Sequence, residues 1–294
     1  MEIIDYGTIS KHDKIVIALG YFDSIHIGHK ELLKTANELA TRYGAISSSL
    51  LFTGSFKGEK NVFTLKERLI KLHILGIQKV VLQELNSEFM KKSPTTFINE
   101  LLSFYNIQAI VVGEDFTFGY KGQGNVKLLQ EICDKNQVKL KVVTLKKDEK
   151  GNKISSTAIK TCLDNGDVSK VNVLLGDNYF ISGKVIKGKQ VGKSIGFPTA
   201  NIKIENDKYL LKQGVYYTCV ILDGKLHDAI TNVGSQPTFN GNDYVVETFI
   251  NDFNGDLYDK TLTIYFIERI RDIVKFNSLD QLKGQLQQDK RWLK

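Results

Sequence analysis

KIVIALGYFDSIHIGHKELLKTANELATRYG, Lys14–Gly44, decides how the N-terminal half of this chain must fold. Its first part, KIVIALG (Lys14–Gly20), is a short unbroken apolar run that ends in glycine, the pattern of a strand buried on both faces. From His29 onward, Leu32, Leu33, Ala36, Leu39 and Ala40 recur at helical spacing, and the stretch closes on Gly44, a suitable left-handed helix stop. Working outward, the alternation repeats. AISSSLLF, KVVLQEL, AIVVGEDF and LKVVTL read as strands; TLKERLIKLHILG, SPTTFINELLSFY and NVKLLQEICDKNQ read as helices. Thr64 and Glu67 stand at capping-box spacing before the first of these helices. This rhythm predicts an α/β domain with a doubly wound parallel sheet and ligand chemistry at the carboxyl ends of its strands.

Near residue 179 the period changes. YFISGKVI, FPTANIKI, GVYYTCVILDG, LHDAITNVG, YVVETFINDF and LYDKTLTIYFIERI are short β-rich runs, punctuated by turns such as LDGK and FNGD. SLDQLKGQLQQDKRWL alone reads as a helix, with Ser278 as its cap. The expected second domain is an antiparallel β-barrel closed by a terminal helix. A short connection around Gly176–Ser182 divides the chain into expected domains 1–178 and 179–294.

Composition narrows the function. Of 294 residues, 42% are hydrophobic and 25% charged, the range of globular rather than disordered chains. Lys plus Arg number 40 against 33 Asp plus Glu, a net +7 with no basic stripe or tail. That disfavours a dedicated nucleic-acid binder and suits small polyanionic ligands such as nucleotides. Cys133, Cys162 and Cys219 are far apart and have no metal-site spacing, so buried thiols in a reducing compartment are expected. MEIIDYGTIS lacks a basic segment followed by an apolar core, and no apolar run is long enough to span a bilayer. A cytoplasmic protein with no membrane partner is the expectation.

The strongest chemical signal is LGYFDSIHIGHK (Leu19–Lys30). A buried strand ends at Gly20, a loop follows, and His26-Ile27-Gly28-His29 opens a helix. Free N–H groups and positive partial charge gather at a helix start, and Gly28 lets backbone approach a phosphate. Two imidazoles there can donate hydrogen bonds to phosphate oxygens as charge builds on them. Taken singly, each histidine would cap the helix or face solvent; as zinc ligands they lack a clear third partner. In VVGEDFTFGYKGQG (Val111–Gly124), Phe116 and Phe118 suit a flat aromatic ligand or the core, and Asp115 can orient a polar edge. ISSTAIKTCLDNGD (Ile154–Asp167) sets Ser155, Ser156 and Thr157 before a helix bearing Lys160, either an anion cradle or an ordinary capped helix.

Together GYFDSIHIGHK, GEDFTFGYKGQG and ISSTAIK resemble the nucleotidylyltransferase module of the bacterial bifunctional riboflavin kinase/FMN adenylyltransferase (FAD synthetase) family. SGKVIKGKQVGKSIGFPTANI, GVYY, TNVGSQPTF, VVETFINDFNGDLY and IRDIVKF resemble its riboflavin kinase module. The resemblance implies a Rossmann-like nucleotidylyltransferase domain followed by a kinase-like barrel. The first module would transfer AMP from ATP to FMN, giving FAD and pyrophosphate; the second would phosphorylate riboflavin. It further implies that His26 and His29 meet the triphosphate and transition state. Gly20, Phe22, Asp23 and Gly28 would shape the nucleotide loop, and Ser155, Ser156, Thr157 and Lys160 would hold the β/γ-phosphates. Asp115, Phe116 and Phe118 would lie on the flavin side. Thr199 and Asn201 would offer oxygens to Mg²⁺, and Glu247 would be the kinase's catalytic carboxylate.

The chain departs from the family at several polar positions. Tyr21 stands where asparagine is common, and Lys160 where arginine is common. FTGSFKGEKNVF (Phe52–Phe63) replaces a Pro/His-containing stretch. In the second half Lys193 and Gln236 replace arginines, Phe249 a histidine and Ile273 an acid. Two readings of that module stay open, a working kinase and one whose reaction has lapsed. A transferase with another phosphorylated acceptor would have no reason to carry the barrel. In a flavin-binding regulatory protein, FMN and ATP would stay unchanged on mixing.

Overall fold

The computed structural model describes every residue except 55–57, 189–191, 193–195, 239–240 and 294, and it does not describe the side chains at 236–238 and 241–243. Lys193, the Gln236 side chain and the middle of Phe52–Phe63 therefore lie outside the described residues. Two compact units divide the chain, Met1–Ser155 and Ser156–Lys294.

In the first unit six strands form one parallel sheet: β1 (Glu2–Asp5), β2 (Ser10–Ala18), β3 (Ile46–Thr53), β4 (Lys79–Glu84), β5 (Tyr105–Gly113) and β8 (Lys139–Val143). They lie in the order β1-β4-β3-β2-β5-β8. Helices α1 (Ile27–Tyr43), α2 (Leu65–Ile74), α3 (Pro94–Phe104) and α4 (Val126–Lys135) supply the crossovers. Along β2, Ile15, Ile17 and Leu19 pack with Phe97, Ile98 and Leu129. Val16 and Ala18 pack instead with Leu33, Ala36 and Leu72. Both faces are thus apolar, which is why the strand reads as a continuous hydrophobic run. Gly44 ends α1 in the left-handed conformation (φ 57°), and Thr64 and Glu67 close the capping box on α2. The topology reverses between β2 and β5, the point beyond whose carboxyl ends sheets of this kind bind ligands. A two-strand ribbon, β6 (Thr117–Phe118) with β7 (Gly124–Asn125), stands in the loop after β5.

The edge strand β1 is absent from the sequence reading. Four residues carry too little periodicity to see; pairing to β4 and the buried Lys79 fix it. The Lys79 ammonium meets Glu2 at 3.1 Å and Asp13 at 2.7 Å.

The second unit opens with α5 (Ser156–Asn165) and α6 (Val168–Leu175), the latter also unforeseen because it has only eight residues. Six strands then close an antiparallel barrel: β9 (Phe180–Ile186), β10 (Thr199–Ile202), β11 (Gly214–Leu222), β12 (Lys225–Thr238), β13 (Gly241–Ile250) and β14 (Thr261–Arg271). Val220, Val233, Val246, Ile264 and Phe266 are fully buried in this unit. The buried hydroxyls of Thr218, Thr231 and Thr248 form a chain, with steps of 2.8 and 2.9 Å. Helix α7 (Leu279–Asp289) follows, capped by Ser278 as its sequence predicts.

Candidate active sites

The loop between β2 and α1 leaves the carboxyl end of β2 at the switch point. Gly20 lets the Phe22 ring fold back, since a Cβ there would lie 3.1 Å from Phe22 Cζ. Phe22 and Ile25 are buried in left-handed backbone (φ 49° and 45°), which for non-glycine residues is costly and concentrates at functional loops. What holds the loop is side-chain anchoring. The buried Asp23 carboxylate accepts the Val62 N–H at 2.6 Å, and the Tyr21 hydroxyl donates to Asn61 Oδ1 at 3.2 Å. His26 is the N-cap of α1, its Nδ1 accepting the His29 N–H at 3.2 Å. That bond leaves the ring proton on Nε2 in the neutral form. Gly28 makes room, because a Cβ there would stand 3.1 Å from His26 Cε1.

The His26 and His29 rings stack with centroids 3.8 Å apart, and Phe22 lies 5.1 Å from His29. Burial lowers the His26 pKa to about 4, with Asp115 pulling weakly upward and Lys153 downward. Burial and the neighbouring His26 push His29 well below its ordinary value. His29 Nδ1 is buried without a hydrogen-bond partner. The loop after β5 brings Asp115 here, ion-paired with Lys153. Phe116 and Phe118 stack at 5.4 Å; Phe118 is buried in the core beside Phe97, whereas Phe116 is half-buried. Lys153 had no signal in the sequence, since it stands in a lysine-rich turn. Ser155 closes the first unit. Ser156, Thr157 and Lys160 lie on the first turns of α5 in the second, with the Lys160 ammonium 5.3 Å over the Tyr209 ring.

In the barrel, Val246, Thr248 and Ile250 of β13 are buried, while Glu247 and Phe249 between them are half-buried. Alternation therefore sends Glu247 and Phe249 to the outer face. Register brings their partners along: Asn201 opposite Glu247, Thr199 opposite Phe249, and Asn232 of β12 on the other side of Glu247. Thr199, Asn201, Asn232 and Glu247 thus share one face although the sequence spreads them from position 199 to position 247. Asn232 went unassigned in the sequence, although TNVGSQPTF carries it.

A family model described as FAD synthetase matches residues 8–158, and one described as riboflavin kinase matches 175–294. The bifunctional riboflavin kinase/FMN adenylyltransferase of Bacillus subtilis is 35% identical over 288 residues, covering 94% of this chain and 90% of that one. Its counterpart in Listeria monocytogenes is 30% identical, covering 93% and 90%. This chain belongs to the bifunctional riboflavin kinase/FMN adenylyltransferase family. It is an enzyme with an FMN adenylyltransferase module and a riboflavin kinase module. A crystal structure from Streptococcus pneumoniae described as a macrolide-efflux protein is also similar. Its TM-score is 0.87 and its identity 32%, over 99% of this chain and 98% of that one. Efflux is said of that protein; among the described residues here no helix is long and apolar enough to cross a membrane.

On the second unit, Phe249 and Ile273, which the resemblance sets where a histidine and an acid are common, form apolar walls. Phe249 packs on Phe197 with centroids 5.4 Å apart. Ile273 lies over Gly234 of β12, where an added Cβ would be 3.3 Å from Ile273 Cδ1.

Proposed function

We propose that residues 1–178 adenylylate FMN through the paired histidines and that residues 179–294 phosphorylate riboflavin with Glu247 as base. The first assignment rests on the stacked His26–His29 pair at the start of α1, held beside a strained, anchored loop. An FMN phosphate oxygen attacks the α-phosphorus of ATP, and the bond from that phosphorus to the bridging oxygen of pyrophosphate breaks. Positioning and charge neutralisation carry such a reaction. The His26 Nε2–H and the His29 ring donate to the α-phosphate and the departing pyrophosphate as negative charge grows. Gly20, Phe22, Asp23 and Gly28 keep the loop open to phosphate, and Ser155, Ser156, Thr157 and Lys160 hold the β- and γ-phosphates. Phe116 and Asp115 border the isoalloxazine, with Phe118 backing Phe116.

In the second module Glu247 takes the proton from the ribityl hydroxyl that attacks the γ-phosphorus, and ADP leaves. Thr199 and Asn201 supply neutral hard oxygens on the same face as Glu247, a donor set that suits Mg²⁺ arriving with substrate phosphates. They would hold that ion, which would neutralise phosphate charge. The buried free thiols Cys133, Cys162 and Cys219 support a reducing, cytoplasmic setting, with small molecules rather than nucleic acid or membrane as partners.

The test is a chromatographic product assay on purified protein with ATP and Mg²⁺, once with FMN and once with riboflavin. FAD from FMN, and FMN then FAD from riboflavin, are expected. Unchanged FMN would overturn the first assignment, and unchanged riboflavin the second.

A further inference from the structure

The C-terminal helix delivers one cation to the outer face of the barrel. Lys290, the residue after α7, holds its ammonium 5.3 Å from the centre of the Phe249 ring and 6.0 Å from that of Phe197. Both rings adjoin Thr199: Phe197 lies two residues before it, and Phe249 is its cross-strand partner. Glu247 lies two residues from Phe249 on the same face, about 7 Å along the strand. Lys290 is fixed through its neighbour. The buried Asp289 carboxylate takes both Nε and Nη2 of Arg271, at 2.9 and 2.7 Å, and Gln285 Nε2 at 3.0 Å. Among the described residues no carboxylate pairs with Lys290, so aromatic faces hold its charge while its donors stay available.

We infer that Lys290 is the cation that meets the nucleotide phosphates in the kinase module. A compact ammonium over Phe249, the cross-strand partner of Thr199, answers phosphate oxygens, whereas a flavin ring offers it no comparable charge. Asp289 and Arg271 are then positioning residues that set the end of α7. The inference rests on the kinase reading, so its test reads binding apart from turnover.

Trp292, the sole tryptophan, follows Lys290 by two residues and reports on this segment. The full chain is titrated with MgADP while Trp292 emission is followed, for wild type, K290Q and K290R. A saturable change is expected in wild type. K290Q should weaken it by about tenfold, as loss of a charge-assisted hydrogen bond does, and K290R should restore most of it. In riboflavin phosphorylation K290Q should raise the KM for ATP by about the same factor and leave that for riboflavin unchanged. FAD formation from FMN should be unaffected. Equal MgADP affinity in wild type and K290Q, no saturable response in wild type, or a raised riboflavin KM in place of the ATP effect would overturn the inference. A wild-type chain that binds MgADP through Lys290 yet leaves riboflavin unphosphorylated would overturn the kinase reading alone.

Discussion

Replacing His26 by asparagine should impair FAD formation and make the protein acid-tolerant at once. His26 does two jobs: its Nδ1 caps α1 through the His29 N–H, and its buried ring resists protonation, with a pKa of about 4 against an ordinary 6.5. The folded state therefore binds fewer protons than the unfolded state between those values. Stability is complete above about pH 6.5 and falls as pH drops toward 4, by roughly 1.4 kcal/mol per pH unit for one proton. From pH 6.5 to 4.5 that is about 2–3 kcal/mol from His26, and the depressed His29 acts in the same direction. Asparagine is as good an N-cap as any residue, so His26→Asn keeps the helix start while removing the titration. Urea unfolding at pH 7 and pH 4.5, followed by far-UV circular dichroism, is the assay. Wild type and variant should differ by less than about 1 kcal/mol at pH 7, and the acid loss should shrink in the variant by about 2–3 kcal/mol. FAD formation should fall at least tenfold at both pH values. The same acid loss in wild type and variant would refute the claim that His26 is held neutral by burial.

Three other substitutions test the two sites and the barrel. His29→Ala should lower FAD formation by more than about tenfold with the circular dichroism spectrum unchanged, because one imidazole facing the phosphates is gone. Glu247→Gln should abolish FMN formation from riboflavin and spare FAD formation from FMN; loss of both in product analysis would contradict independent chemistry. Thr231→Val should destabilise the second unit by about 1–3 kcal/mol in thermal unfolding, since the buried Thr218 and Thr248 hydroxyls lose the partner between them.

The reading of the first unit from sequence succeeded where one local pattern decides one element. Apolar runs became central parallel strands, and Gly44, Thr64 and Ser278 ended or began helices where their chemistry predicts. It failed where stability comes from a distant partner. β1 exists because β4 and Lys79 hold it, and α6 because its Asn172 side chain donates to Phe266 O of β14 at 2.9 Å. The same division applies to the sites. His26 and His29 were visible because four adjacent positions and a helix start suffice. Lys153, Asn232 and Lys290 were not, because register, an ion pair and a helix end place them.

The apolar side chains of Phe249 and Ile273 bear on whether the proposed kinase face works. Apolar replacements at a lapsed site would leave its polar groups facing nothing, and nothing would keep them aligned. Here Phe249 packs on Phe197 and carries the Lys290 ammonium, while Ile273 covers Gly234 beside Asn232. The walls are apolar while Thr199, Asn201, Asn232 and Glu247 stand in one cross-strand row. Register couples them: a slip of one residue in β13 would turn Glu247 inward and Thr248 outward, breaking the buried threonine chain. The interior hydrogen bonds of the barrel therefore hold the proposed kinase row, Thr199, Asn201, Asn232 and Glu247, on its outer face.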